Sequence, residues 1–199
     1  MKYQSTVKPL YTKSLDNLVF LDIETTGLDP VKGAKIVEIA MLKVCNGIEE
    51  KYESLVNPGQ TIPVECSKIH FIYDDMVRSS PSFSNIAKDV VSFMGNNIVV
   101  CHNASFDLFF VCRELYQAGV FIKDIYYIDT LKLARLYFSF DSNKLGTIAN
   151  TIGVEVELSH RAMADVLTMF SVAKYMFANI YRKGIDTIEP TIYKYNLNS

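Results

Sequence analysis

A hairpin turn is encoded near the start of the chain, between two strand-like runs. The dipeptide Asn46-Gly47 separates Ile36 to Val44 from Ile48 to Val56, and Asn-Gly favours the tight turn that joins antiparallel strands. A third apolar run, Leu18 to Leu21, comes before them. The sequence therefore predicts three opening strands that pair antiparallel.

The rest of the chain alternates short apolar strands with helical patterns. Apolar runs at 98–101 and 125–128 each precede a helix-like segment, and the last predicted helix, Ala162 to Tyr181, is the longest. An antiparallel start followed by βα units predicts an α/β protein with a mixed sheet flanked by helices. The expected divisions are a lead-in at 1–16, one domain at 17–182 and a polar C-terminal tail at 183–199.

The composition excludes several classes of protein. Of the 199 residues, 49% are hydrophobic and 21% are charged, as in ordinary globular proteins that fold around a sizeable core. No apolar run approaches the roughly 18 residues of a membrane-spanning helix, and residues 1–6 have no apolar stretch typical of a secretory signal. The four cysteines form no CxxC pair and are expected as free thiols. We therefore expect a cytoplasmic protein with no membrane partner.

The net charge narrows the range of nucleic-acid-binding roles. The chain has 20 Lys and Arg against 22 Asp and Glu, a formal net charge of −2. Proteins that coat nucleic acid are usually strongly basic, so this balance argues against a coating protein. It is compatible with an enzyme that holds one strand end, because catalytic acids themselves lower the net charge.

The first candidate site is a pair of carboxylates, Asp22 and Glu24, at the end of the first apolar strand. Residues i and i+2 of a strand point to the same face, so the two acids repel each other wherever they are buried. A divalent cation relieves that repulsion, and Mg²⁺ or Mn²⁺ prefers carboxylate oxygens. The alternative is that both acids lie at a solvated strand edge.

A second motif, His102-Asn103-Ala104-Ser105-Phe106-Asp107, follows the apolar strand at 98–101. Sites in open α/β sheets form beyond the carboxyl ends of strands, which favours a place for this motif beside the first. Asp107 lies in the first turn of the next predicted helix, where an acid also interacts favourably with the helix dipole. Taken alone, Asp107 fits that helix-start role better than a ligand role.

A third motif, His160 to Asp165, leads into the longest predicted helix. A neutral histidine can act as a general base toward water near pH 7, although an exposed residue at a helix start is the better explanation of His160 taken alone. Together the three motifs bring four carboxylates and one histidine to one predicted edge of the sheet. Four carboxylates can hold two metal ions about 3.5–4 Å apart, an arrangement that suits in-line attack on a phosphodiester.

In this order, the three motifs resemble those of the DnaQ-like 3′–5′ exonucleases, and the histidine is typical of the DEDDh subgroup. The first match is Asp22-Ile23-Glu24-Thr25-Thr26-Gly27. The resemblance covers about residues 17–180 and is greatest to the proofreading epsilon subunit of bacterial DNA polymerase III and to the PolC-type exonuclease domain. The segment from Val56 to His70 is similar to the family's linker, but Phe71 stands where the family has glycine. We expect this departure to lie in a loop and to leave the chemistry unchanged.

The resemblance implies a fold and a metal centre. The fold is ribonuclease-H-like, a mixed five-stranded sheet in the order 3-2-1-4-5 with strand 2 antiparallel and helices on its faces. The cofactors are two divalent metal ions, Mg²⁺ or Mn²⁺. The implied metal ligands are Asp22, Glu24, Asp107 and Asp165, and the implied general base is His160.

The resemblance also implies contacts with the terminal nucleotide. Backbone groups of the Thr-Thr-Gly turn would face it, and Leu28 and Phe106 would pack on its base or sugar. Phe106 is explained equally well as a core residue, and His102 and Asn103 are expected to order their turn rather than touch the strand. Asp129 is expected to cap a helix. The implied substrate-binding residues are Thr25, Thr26, Gly27, Leu28, His102, Asn103 and Phe106.

The predicted function is a metal-dependent 3′–5′ exonuclease that releases nucleoside 5′-monophosphates from single-stranded DNA ends. A proofreading role would require a DNA polymerase subunit as partner, because the chain contains no recognisable polymerase segment. Two alternatives stay open: a 3′–5′ exoribonuclease that trims short RNA, and a non-catalytic module that binds a strand end or a polymerase. DNA is favoured over RNA as the substrate strand. Discrimination between DNA and RNA depends on contacts to the 2′-OH.

Overall fold

The computed structural model describes residues 9–122, 124–155 and 160–195. These residues form eight strands and seven helices. The strands are β1 (Leu10–Tyr11), β2 (Leu18–Thr25), β3 (Ile36–Cys45), β4 (Ile48–Leu55), β5 (Ile98–Cys101), β6 (Ile125–Asp129), β7 (Thr187–Ile188) and β8 (Thr191–Tyr193). The helices are α1 (Val64–His70), α2 (Asp74–Val77), α3 (Phe83–Met94), α4 (Ala104–Gln117), α5 (Thr130–Tyr137), α6 (Leu145–Thr151) and α7 (Ala162–Arg182).

Six of the strands form one mixed sheet, in the order β4-β3-β2-β5-β6-β8. β3 pairs antiparallel with both β2 and β4, whereas β2, β5 and β6 run parallel. The mixed α/β architecture and the antiparallel opening are as predicted. The sheet has one strand more than the five that the resemblance implied, because β8 adds antiparallel to β6 at the edge.

The described parts of the segments predicted as a polar C-terminal tail at 183–199 and as a lead-in at 1–16 contribute strands to the fold. β7 pairs with β1 in a second, two-stranded sheet, and β8 extends the main sheet. The exposed fraction of Ile188 is only 9%, and it packs in the core beneath α7. Thr, Ile and Tyr favour strands, but runs of two and three residues separated by Pro190 are too short to show a strand period.

The hairpin predicted from Asn46 and Gly47 is confirmed. The two residues have φ values of 51° and 73°, and the tight turn that matches strand twist requires positive φ at both positions. Cys45 and Ile48 form the last register pair before the turn. The turn thereby sets the register of β3 against β4.

Alternation along β2 determines which side chains reach which face of the sheet. Val19, Leu21 and Ile23 pack in the core with α3 and α4, while Leu18 and Phe20 pack in the core with α7. Because side chains alternate along a strand, the positions that continue the second set, residues 22 and 24, lie on the α7 face. No helix within the described ranges is long and apolar enough to cross a membrane.

Candidate active site

Three carboxylates meet where β2 ends and α7 begins. Asp22, Glu24 and Asp165 each offer an oxygen atom, and these atoms all lie within 4.8 Å of one another. The first two follow Phe20 on the α7 face of β2, and Asp165 lies in the first turn of α7. All three side chains are half-buried, so the cluster is still open to solvent. Oxygen donors at this spacing suit a hard divalent cation.

Asp107 approaches the cluster from α4, the helix that follows β5. Its exposed fraction is 3%, and burial raises its pKa to about 8, against the opposing effect of the backbone N–H groups of Asp107 and Ile23. Its charge also raises the pKa of Asp22. Among the described residues, however, Asp107 is outside the group of three that share the 4.8 Å spacing.

Burial and mutual repulsion raise the pKa values of the clustered acids. Burial raises the pKa of Asp22 well above its ordinary value, and the charges of Asp107 and Asp165 raise it further. Burial also raises the pKa of Glu24 to about 8, with a further rise from Asp165. Uncompensated charge in a desolvated site is unfavourable. The cluster is therefore relieved either by holding protons or by binding cations.

His160 lies at the start of α7 and is exposed. Its φ is 68°, a left-handed conformation that is uncommon for residues other than glycine. Its backbone N–H donates a hydrogen bond to Oδ2 of Asp165 at 2.9 Å, and this bond opposes the rise that burial causes in the pKa of Asp165. The candidate base is thus tied directly to one of the clustered acids.

A partly buried ion pair, not predicted from the sequence, holds the start of α7 against the sheet. Glu38 lies opposite Glu24 in the register of β2 and β3, and its exposed fraction is 1%. Arg161 donates to Oε1 of Glu38 from Nη2 at 2.6 Å and from Nε at 3.1 Å. The backbone N–H of Ala162 donates to Oε2 at 2.8 Å. These bonds fix the two residues that follow the candidate base.

One signal in the sequence could have pointed to this pair. Glu38 is the single charged residue in the apolar run from Ile36 to Leu42, and a buried carboxylate requires a charged or hydrogen-bonding partner. Its partner is 123 residues away in the chain, so the sequence alone identifies the need for a partner and not its identity.

The two threonines predicted to face the nucleotide use their side chains to shape the turn after β2. The Thr25 hydroxyl donates to the Gly27 carbonyl at 2.6 Å. The Thr26 hydroxyl oxygen accepts from Gln60 Nε2 at 2.9 Å and from the Lys35 N–H at 2.9 Å, and the Thr26 N–H donates to the Lys35 carbonyl. The Thr26 amide therefore has a partner within the protein. Beyond the turn, the exposed fraction of Leu28 is 86%.

His102 and Asn103 order the turn between β5 and α4. Burial lowers the pKa of His102. Its Nε2 donates to the Asn143 carbonyl at 2.8 Å, and its Nδ1 lies 2.9 Å from the hydroxyl oxygen of Thr130, which itself donates to the Cys101 carbonyl at 3.2 Å. Asn103 has a φ of 79°, and its N–H donates to Oδ1 of Asp129 at 3.1 Å. Contact of His102 or Asn103 with a nucleic-acid strand stays a prediction.

The structure also bears on the expectations for Phe106 and Asp129. Phe106 is half-buried and its ring centroid lies 4.9 Å from that of Phe110, so it packs against the core while part of it stays accessible. Asp129 caps α5 as predicted, because its Oδ1 accepts from the Leu131 N–H at 3.0 Å.

Comparison with protein families identifies the family to which a chain with this arrangement of acids belongs. A family model described as Exonuclease (RNase_T) matches residues 19–173, a range that contains the acidic cluster, Asp107 and His160. The chain belongs to the exonuclease family. The resemblance seen in the three motifs is therefore confirmed.

Curated members of the exonuclease family resemble the chain over most of its length. The 3′–5′ exonuclease DinG of Bacillus subtilis is 33% identical over 87% of this chain, and 18% of its own length is matched. The PolC-type DNA polymerase III of Clostridium perfringens is 34% identical over 81% of this chain and 11% of its own length. The epsilon subunit of DNA polymerase III of Buchnera aphidicola is 33% identical over 79% of this chain and 71% of its own length. The chain thus spans less than a fifth of the first two relatives.

Solved exonuclease structures share the fold. Exonuclease X, determined in complex with 5′ overhanging duplex DNA, superposes with a TM-score of 0.60 at 27% identity, over 84% of this chain and 93% of its own. Exonuclease I of E. coli, determined with a dT13 oligonucleotide, has a TM-score of 0.72 at 18% identity, over 84% of this chain and 42% of its own. The α/β fold is that of the ribonuclease-H-like exonucleases.

Proposed function

We propose that the chain is a metal-dependent 3′–5′ exonuclease that releases nucleoside 5′-monophosphates from single-stranded DNA ends. The observation that carries the proposal is the meeting of Asp22, Glu24 and Asp165, whose carboxylate oxygens lie within 4.8 Å of one another. In a member of the exonuclease family, acids this close together, with pKa values raised by burial and repulsion, indicate a site that binds cations.

Two divalent ions, Mg²⁺ or Mn²⁺, are the proposed cofactors, held by the three clustered acids and Asp107. The donor set fits them, since it consists of carboxylate oxygens only and carries up to four negative charges at one edge of the sheet. When bound, such ions lower the pKa of the attacking water and neutralise charge on the leaving oxygen.

His160 is the proposed general base. The attacking water gives its proton to the imidazole while its oxygen forms a bond to phosphorus. The bond from phosphorus to the 3′ oxygen of the preceding nucleotide breaks and that oxygen takes up a proton from water, leaving a 5′-monophosphate and a strand that is shorter by one nucleotide and ends in a 3′-OH. The bond from the His160 N–H to Asp165, together with the Arg161–Glu38 pair, holds this residue beside the acids.

A DNA strand end is the proposed substrate. The turn of Thr25, Thr26 and Gly27, with exposed Leu28 and accessible Phe106, is the proposed surface for the terminal nucleotide. His102 and Asn103 order the turn that precedes Phe106. Exonuclease X and Exonuclease I were both determined with DNA, which favours DNA over RNA. The 33% identity to a polymerase epsilon subunit supports a polymerase as a protein partner.

A time course on 5′-labelled single-stranded DNA and on RNA of the same sequence tests this function. We expect a ladder that shortens from the 3′ end in Mg²⁺ or Mn²⁺, no cleavage in EDTA, and faster cleavage of DNA. Asp22→Ala should lose more than about 100-fold in rate, because even residues outside the ligand shell of metal sites cost 10–100-fold when changed.

Asp89→Ala is the matched control, since Asp89 is an exposed acid on α3, and it should cleave like the wild type. Faster cleavage of RNA would assign the exoribonuclease alternative. An absence of cleavage of both strands by folded, metal-loaded wild type would contradict the proposal and favour the binding module.

A further inference from the structure

A cavity of about 380 Å³ lies beside the turn between β5 and α4. Its walls come from that turn, from α5 and from the segment that leads into α6. The residues that line it are His102, Leu131, Arg135, Ser142, Asn143 and Lys144. Two of these side chains are cations and none is an acid, although the net charge of the chain is −2. The lining therefore suits an anion.

Strand register places this cavity at the same edge and on the same face of the sheet as the acidic cluster. Phe20 of β2 pairs with Val100 of β5 in parallel register, and both pack on the α7 face. Continued for two residues, this register puts Asp22 level with His102. Because neighbouring strands lie about 4.8 Å apart, the wall that His102 forms begins roughly 5 Å from the backbone of Asp22. A strand whose 3′ end lies at the acids can therefore reach the cavity.

Hydrogen bonds hold the walls of the cavity together. His102 Nε2 donates to the Asn143 carbonyl at 2.8 Å, and His102 Nδ1 lies 2.9 Å from Oγ1 of Thr130, the first residue of α5. The Ser142 hydroxyl oxygen accepts from the Lys144 N–H at 3.3 Å, which leaves the Ser142 O–H able to donate to an anion. The turn at the end of β5 thus fixes both other walls.

The two cations of the lining form no ion pair within the part of the chain that the structure describes. Both Arg135 and Lys144 are exposed, as is Asp141, the nearest acid in the sequence. Lys144 immediately precedes the first turn of α6, where the helix dipole disfavours a positive charge. Local structure therefore does not account for Lys144, and both cations are available to a ligand.

We propose that Arg135 and Lys144 bind a backbone phosphate of the substrate strand, upstream of the nucleotide that is removed. The inference rests on the proposed function and adds a binding subsite to it. The carboxylates of the active site repel a strand, and cations farther along the same edge attract the phosphates that follow. A guanidinium can donate two parallel hydrogen bonds to phosphate oxygens, and an ammonium adds a point charge. Phosphate contacts carry no sequence information, which suits an enzyme that removes nucleotides in succession.

The double variant Arg135→Ala/Lys144→Ala tests this subsite with two substrates. One is a single-stranded DNA oligonucleotide, cleaved in Mg²⁺ at a series of KCl concentrations. The other is the p-nitrophenyl ester of thymidine 5′-monophosphate, which offers a phosphodiester to cleave but has no upstream phosphate.

On DNA, we expect the KM of the double variant to rise roughly tenfold, because a charge-assisted contact is lost. The slope of log KM against log salt should fall by about 0.7, the contribution of one phosphate of a single strand. On the ester, kcat/KM should equal that of the wild type, which also shows that the variant is folded.

Two control variants complete the test. Arg135→Lys/Lys144→Arg keeps both charges and should keep the salt dependence of the wild type. Lys88→Ala removes an exposed lysine of α3, a helix that packs on the opposite face of the sheet from α7, and should leave the cleavage of both substrates unchanged.

A double variant that cleaves DNA with the KM and salt dependence of the wild type would overturn the inference. An equal loss on DNA and on the ester would overturn it too, because the two residues would then support the acids and not the strand. A wild type that cleaves neither substrate in Mg²⁺ or Mn²⁺ would instead contradict the proposed function, so the two failures are distinguishable.

Discussion

The carboxylates of the cluster make the stability of the metal-free protein depend on pH. The pKa values of Glu24 and Asp107 rise from ordinary values of 4.5 and 3.8 to about 8 in the folded chain. The folded state therefore binds more protons than the unfolded state between about pH 4 and pH 8, and its free energy of unfolding falls as the pH rises through that window. Above both folded values the loss is complete.

We expect the Tm in EDTA to be several degrees lower at pH 8.5 than at pH 6, given that 1 kcal/mol corresponds to about 2–4 °C in a chain of this size. Mg²⁺ or Mn²⁺ should reduce the difference, because a bound cation compensates the charges that protons would otherwise neutralise. Differential scanning calorimetry at the two pH values checks this. Glu24→Gln is the control, and its Tm should depend less on pH. A wild-type Tm in EDTA that is the same at both pH values would contradict the prediction.

Among the elements, α7 carries Asp165 and begins two residues after His160, and its first turn depends on the Glu38–Arg161 pair. Removing one partner of a buried ion pair costs about 3–5 kcal/mol, because the other charge is left buried and unpaired. The Arg161 side chain is 36% exposed and that of Glu38 is 1% exposed, so solvent screens one side of the pair and the lower end of that range applies.

Arg161→Met should therefore lower the free energy of unfolding by about 3 kcal/mol and reduce the rate of cleavage, since the start of α7 loses its anchor. Urea unfolding with parallel assays on single-stranded DNA measures both. The double variant Glu38→Gln/Arg161→Met should recover part of the stability, because no unpaired charge remains. Wild-type stability in Arg161→Met alone would show that the pair does not anchor the helix.

The same elements show what a sequence can predict here. Short-range signals worked: Asn46-Gly47 predicted the hairpin, and Asp129 predicted a helix cap. The long-range ion pair could not be predicted, because nothing near Glu38 in the chain identifies Arg161 as its partner. β8 was missed for a related reason, since three residues are too few to show a strand period, and its place is set by the open edge of β6.

At the scale of the whole molecule, the sheet collects acids from segments that are far apart in the chain. Asp22 and Asp165 are close in space because the end of β2 lies under the start of α7. Each motif lies at a strand end or a helix start, which is why the sequence predicted a common edge. The sequence could not predict the spacing: three acids cluster within 4.8 Å, and Asp107, although buried nearby, lies outside that group.

A calorimetric titration of the folded chain with Mn²⁺ at pH 7.5 tests most directly whether these acids form the metal centre. We expect saturable binding of two ions and a heat that varies with the ionisation enthalpy of the buffer, because Glu24 and Asp107, with pKa values of about 8, release protons when the metal binds. Asp22→Asn should lose this binding, and Asp89→Asn should keep it. An absence of binding, or equal binding by Asp22→Asn and wild type, would contradict the claim that the cluster is a metal centre.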